Sequence, residues 1–92
     1  MTIFAVIGIK LDGPSGSMGN AISQTELPNL SVTDNTWLVA DSGTAKQLGD
    51  KIGLSDGLTG TGVITEVGSY WGRADPAVWS WIKQHWGTAA DG

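Results

Sequence analysis

The chain has 92 residues, of which 40% are hydrophobic and 15% charged, with no cysteine and a net charge of −4. That balance fits one globular domain and argues against wholesale disorder. It excludes disulfides and thiolate metal sites, and no apolar run is long enough for a membrane span. The five basic residues, Lys10, Lys46, Lys51, Arg73 and Lys83, are scattered, which disfavours duplex nucleic acid as a partner. Met1-Thr2-Ile3-Phe4-Ala5-Val6 has no basic n-region and reads as a strand, not a signal peptide. With the lack of cysteine, this places the expected site of action in a bacterial cytoplasm, or in a host cytoplasm if the chain is phage-encoded.

Residues 3–9, Ile-Phe-Ala-Val-Ile-Gly-Ile, are apolar at both parities, the pattern of a central strand buried on both faces. The stretch 10–17 is rich in turn formers. Ser17 is then placed to cap a short helix to about Glu26, with Met18, Ala21, Ile22 and Thr25 on one side, Gly19 weakening it and Pro28 closing it. Residues 30–40 predict a hairpin around Asp34-Asn35, pairing Thr33 with Thr36, Val32 with Trp37 and Leu30 with Val39. Trp37-Leu38-Val39-Ala40 is again apolar at both parities and predicts a second central strand.

Thr44-Ala45-Lys46-Gln47 fits a capping box, with Ser42 as a rival cap. The helix it opens carries Ala45, Leu48, Gly49 and Ile52 on one stripe and ends at Gly53. Residues 55–62 predict a flexible loop. Val63–Tyr70 alternates as a half-buried edge strand. Asp75-Pro76 predicts the start of a last helix, aspartate as N-cap and proline at N1, running to about Trp86. The order β-α-β-β-α-β-α predicts an α+β fold of the ferredoxin-like βαββαβ type: a four-stranded antiparallel sheet with an added C-terminal helix. Residues 1–87 form the single domain and residues 88–92 a frayed tail.

Four of the five tryptophans lie in the last quarter of the chain. On the last helix Trp81, His85, Val78, Ile82, Trp86 and Trp79 span an arc of roughly 160°, wider than the stripe of about 100° that one sheet contact needs. Trp79, Trp81 and Trp86 are therefore expected at an interface between copies, against the plainer alternative of a deeply embedded helix. His85 within that arc reads as a packed residue before it reads as a general base, because no nucleophile motif accompanies it. Tyr70-Trp71-Gly72-Arg73 offers two aromatics for stacking, a glycine for close approach and an arginine for a phosphate; its plainer reading is Tyr70 and Trp71 in core and interface, with Arg73 paired to Asp75 or a helix end. Ser42, Gly43 and Thr44, at a helix start, are a second candidate anion site, though most such starts serve only as caps. No catalytic residue, metal site or cofactor is indicated. Gly60-Thr61-Gly62 lacks the lysine and the following helix of a phosphate loop.

Trp37-Leu38-Val39, Gly43-Thr44-Ala45-Lys46, Lys51-Ile52-Gly53-Leu54-Ser55-Asp56-Gly57, Tyr70-Trp71-Gly72-Arg73-Ala74 and Trp79-Ser80-Trp81-Ile82-Lys83 resemble stretches of small uncharacterised proteins of bacteria and their phages. That resemblance carries no activity with it. The element order also resembles small CRISPR-associated and toxin-like nucleases of ferredoxin-like fold, in which an aspartate at the end of strand one holds a metal. Here Gly8-Ile9-Lys10 stands at that point and Asp12 follows. The first-ranked expectation is a non-enzymatic, self-associating module that binds a nucleotide-like or other phosphate-bearing small ligand, as a phage protein sequestering a host nucleotide signal would. The second is a metal-dependent nuclease working through Asp12. The third is a purely structural oligomer.

Overall fold

A computed structural model describes residues 1–69 and 71–86. Tyr70 and the expected tail at 88–92 lie outside the described residues. The elements are β1 (Thr2–Lys10), β2 (Asp12–Gly13), β3 (Gly16–Ser17), α1 (Met18–Gln24), β4 (Asn29–Thr33), β5 (Thr36–Asp41), α2 (Ala45–Lys51), β6 (Thr61–Glu66) and α3 (Pro76–His85). The chain is thus α+β, with a four-stranded antiparallel sheet in the order β4-β5-β1-β6 and a separate small hairpin, β2-β3. This is compatible with a ferredoxin-like arrangement. No described helix is long and apolar enough to cross a membrane.

The two strands with apolar residues at both parities, β1 and β5, sit side by side in the middle of the sheet. Phe4, Val6, Trp37 and Val39 point to one face and bury with Met18 and Ile22 of α1, Leu48 of α2 and Ile52 just after it. Ile3 and Leu38 point to the other face and bury against Ile82 of α3. Each helix starts where its cap predicts. Ser17 Oγ accepts from the Asn20 amide at 3.2 Å, and Asp75 Oδ1 accepts from the Ala77 amide at 2.9 Å. Thr44 and Gln47 form a reciprocal capping box.

Three expectations are corrected. The hairpin turn is where the sequence puts it, with Thr33 opposite Thr36, but a bulge between Ser31 and Thr33 moves the rest by one residue. Ser31 then faces Trp37, Leu30 faces Leu38 and Asn29 faces Val39. The extra residue, Val32, is partly exposed instead of pairing with Trp37, since a bulge takes one residue out of the ladder. Second, β6 is displaced towards the amino terminus: it begins at Thr61, inside the expected loop, and ends at Glu66. Gly62 makes this possible. A Cβ there would run into the Ile7 carbonyl oxygen, so only glycine lets β6 lie this close to β1. Third, β1 is closed on one face only. Ile7 is 40% and Ile9 74% exposed, because α3 covers the Ile3 end of the second face and not the Ile9 end.

The two ends of β1 therefore differ in their energetic weight. Phe4→Ala empties a fully buried site and should cost about 3–5 kcal/mol. Ile9→Ala should stay within about 0.5 kcal/mol, as surface changes do. Urea unfolding at sub-micromolar protein concentration measures both, and a loss at Ile9 comparable to that at Phe4 would contradict this packing.

Candidate functional site

The turn after β6 carries the aromatic candidate site. Trp71 is 98% exposed, an extreme value for the largest apolar side chain. It borders an open cleft of about 490 Å³ with Gly72, Trp79 and Lys83. Gly72 has φ +150°, a backbone conformation that side-chain-bearing residues rarely adopt, and a Cβ there would meet only open space. Asp75 and Pro76 fix the start of α3, and one helical turn sets Trp79 and Lys83 at i and i+4 on the same side. The cleft thus joins two indole faces to one ammonium group. Arg73, next to Gly72 in the chain, is exposed, and among the described residues no carboxylate lies within ion-pair distance of it. The Asp75 carboxylate is used instead on the Ala77 amide, so the expected Arg73–Asp75 pair does not form.

The second candidate, Ser42-Gly43-Thr44, is not brought to this cleft. Asp41, at the end of β5, is 2% exposed, and its Oδ1 accepts from the Ser42 amide at 2.7 Å and the Gly43 amide at 3.4 Å. The Thr44 amide donates to Gln47 Oε1 at 2.8 Å. The chain's own carboxylate and carboxamide thus engage the amides of Ser42, Gly43 and Thr44.

Lys51, on the last turn of α2, completes the arrangement, its ammonium lying 3.1 and 2.9 Å from the two Asp41 carboxylate oxygens. Burial pushes the Asp41 carboxyl up, but the Lys51 hydrogen bond, the Gly43 and Ser42 amides and the Lys51 charge outweigh it and hold the group below its ordinary value of 3.8. No local pattern marks this pair, since Lys51 lies ten residues from Asp41, at the far end of α2.

The interface candidates also have internal roles. Trp79, Trp81 and Trp86 are half-buried and pack with Val78 and Val67 around Ile3, Leu38 and Ile82. His85 Nδ1 donates to the Trp81 carbonyl at 2.9 Å, and its ring lies 4.3 Å from that of Trp81. The histidine is thus held by its own helix. Asp12 is an exposed residue of the β2-β3 hairpin, paired with Ser17. Among the described residues no three histidine, aspartate or glutamate side chains gather where they would hold a metal ion.

No protein-family model, curated protein or solved structure matches the chain. Its function must therefore be argued from these side chains.

The Asp41–Lys51 link yields a pH signature. A carboxylate whose folded-state value is depressed adds stability above its unfolded value, and that contribution is lost as pH falls through the folded value. Asp41→Asn should lower the melting temperature at neutral pH and flatten its decline below about pH 3.8. Thermal melts of both proteins across that range check this, and parallel curves would contradict it.

Proposed function

We propose that the chain is a small ligand-binding module of ferredoxin-like fold, holding a flat, phosphate-bearing molecule of nucleotide type in the cleft of Trp71, Gly72, Trp79 and Lys83. The observation that carries this is the position of Trp71, almost wholly exposed at the edge of a cleft that also contains a cation. A free indole face stacks on any base, which is worth about 1–3 kcal/mol. Lys83 and Arg73 supply the positive charge that an acidic protein otherwise lacks for an anion. Gly72 leaves the backbone open to close approach. The role is to hold the ligand and keep it from other partners, and no bond-breaking step is assigned to any residue.

A thermal-shift screen with nucleoside monophosphates, nucleoside diphosphates and cyclic dinucleotides tests the reading, because a ligand bound only by the folded state raises the midpoint. At least one compound should do so. Calorimetric titration of that compound should show at least tenfold weaker binding to Trp71→Ala and to Arg73→Ala, with both variants melting as the unaltered protein does. No shift across the screen, or unchanged affinity in both variants, would overturn the proposal.

A further inference from the structure

We infer that the polar cleft between α1 and the loop after α2 binds a polyhydroxylated small molecule, a sugar that is neutral or carries one amino group. The cleft holds about 370 Å³, at the lower end of the volumes of small-molecule sites. Asn20 and Gln24 of α1 line one side, Ser15 in the turn between β2 and β3 lines one end, and Asp50, Asp56 and Leu58 line the other side. None of its lining residues belongs to the cleft at Trp71, so the inference stands independently of the ligand proposed there.

The walls of this cleft are joined to one another before any ligand arrives. The loop after α2 is bonded back to that helix and to itself: the Leu54 amide donates to the Gly49 carbonyl at 2.9 Å and the Thr59 amide to the Gly53 carbonyl at 3.2 Å. The buried Thr59 hydroxyl donates to the Ile52 carbonyl at 2.6 Å. The Ser15 amide donates to the Leu58 carbonyl at 2.8 Å, which ties the β2-β3 turn to the same loop. Gly13 allows that approach, since a Cβ there would run into the Leu58 and Gly57 carbonyl oxygens. A site held in this way loses little conformational freedom on binding.

What the walls present is hydrogen-bonding capacity that the chain itself does not use. Asn20 and Gln24 stand at i and i+4, so their carboxamides share one side of α1. Among the described residues, neither carboxamide nor the Ser15 hydroxyl forms a hydrogen bond. A carboxamide offers an acceptor and a donor in one plane, which complements two neighbouring hydroxyls, each able to donate and accept. Leu58, 41% exposed, adds an apolar surface for the C–H face of a ring. Charge narrows the class further. Lys51 is held by Asp41, and Asp50 pairs with Lys46 at 3.2 Å. Asp56 is left: its Oδ1 accepts only from the Leu58 amide, at 3.4 Å, and among the described residues no basic group lies within ion-pair distance of it. A free carboxylate repels a phosphate or carboxylate ligand, accepts from a hydroxyl, and forms a charge-assisted bond with an ammonium group.

Two-dimensional NMR of the isotope-labelled protein tests this, with glucose, galactose, maltose and glucosamine as probes and inorganic phosphate as the contrary probe. At least one sugar should shift the side-chain amide signals of Asn20 and Gln24 and the backbone signals around Ser15 and Leu58, saturating in the millimolar range. The glucose and maltose arms separate a free sugar from the end of a longer chain. The double variant Asn20→Ala, Gln24→Ala should bind at least tenfold more weakly and melt no lower than the unaltered protein, because both positions lie on an exposed helix surface where alanine is favoured. Either single variant serves if the double variant does not fold. Asp56→Asn should abolish any preference for glucosamine over glucose and leave glucose binding in place. No saturable shift with any of the four sugars would overturn the inference. So would shifts that map to another part of the chain, binding unchanged by loss of the two carboxamides, or phosphate displacing the sugars at these signals.

Discussion

The architecture depends on the antiparallel pairing of β1 with β5, two strands that carry apolar side chains on both faces. A sheet built on such a pair cannot stand with one side in water, so it needs a layer above and a layer below. One layer comes from α1 and α2, whose buried residues Met18, Ile22 and Leu48 close over Phe4, Val6 and Val39. Among the described residues, the other comes mainly from α3, with Val67, and covers only the end of the face around Ile3 and Leu38. The tryptophan-rich arc of α3 follows from that task. With few residues available, large side chains seal the greatest area per position. What α3 does not reach remains as bare isoleucine and valine.

The polar features serve the same frame. Asp41 is placed at the end of a central strand, where its carboxylate ties the α2 entry, through Ser42 and Gly43, to the α2 exit, through Lys51. A carboxylate this deeply buried is tolerable because the Ser42 and Gly43 amides and the Lys51 ammonium bond to it. The Ser42, Gly43 and Thr44 amides at that helix start are thus bonded within the chain. Of the other basic residues, Lys83 borders the cleft with Trp71 and Trp79, Arg73 follows Gly72 in the chain, and Lys10 ends β1. On the proposed reading, recognition falls to the turn between β6 and α3 and to that helix, while α1, α2 and their caps pack the core.

Much of this was legible in the sequence because it is local. Caps at Ser17, Thr44 and Asp75 are short-range hydrogen-bond patterns, and the two-sided apolar runs at 3–9 and 37–40 mark central strands by composition. What was not legible depends on distance. The bulge at Val32 costs the hairpin one register step that alternation cannot reveal. The start of β6 at Thr61 follows from Gly62 fitting under the Ile7 carbonyl, so a glycine that reads as a loop residue marks a close approach instead. Of the candidate site, Trp71 and Arg73 were visible as an aromatic–glycine–basic cluster. Lys83 and Trp79 joined it only once α3 had a direction. Ser42, Gly43 and Thr44 were singled out for amides that Asp41 and Gln47 already occupy.

If one face is a closed core and the other a partial cover, the molecule has two tiers of stability. Residue-resolved amide hydrogen exchange measures them directly, because segments that open locally exchange at a lower free energy than the global core. The account predicts that the amides of β1 and β5 exchange only through global unfolding, while those of α3 exchange through a separate opening of distinctly lower free energy. Amides of α3 as slow as those of β1, rising and falling with global stability, would contradict it.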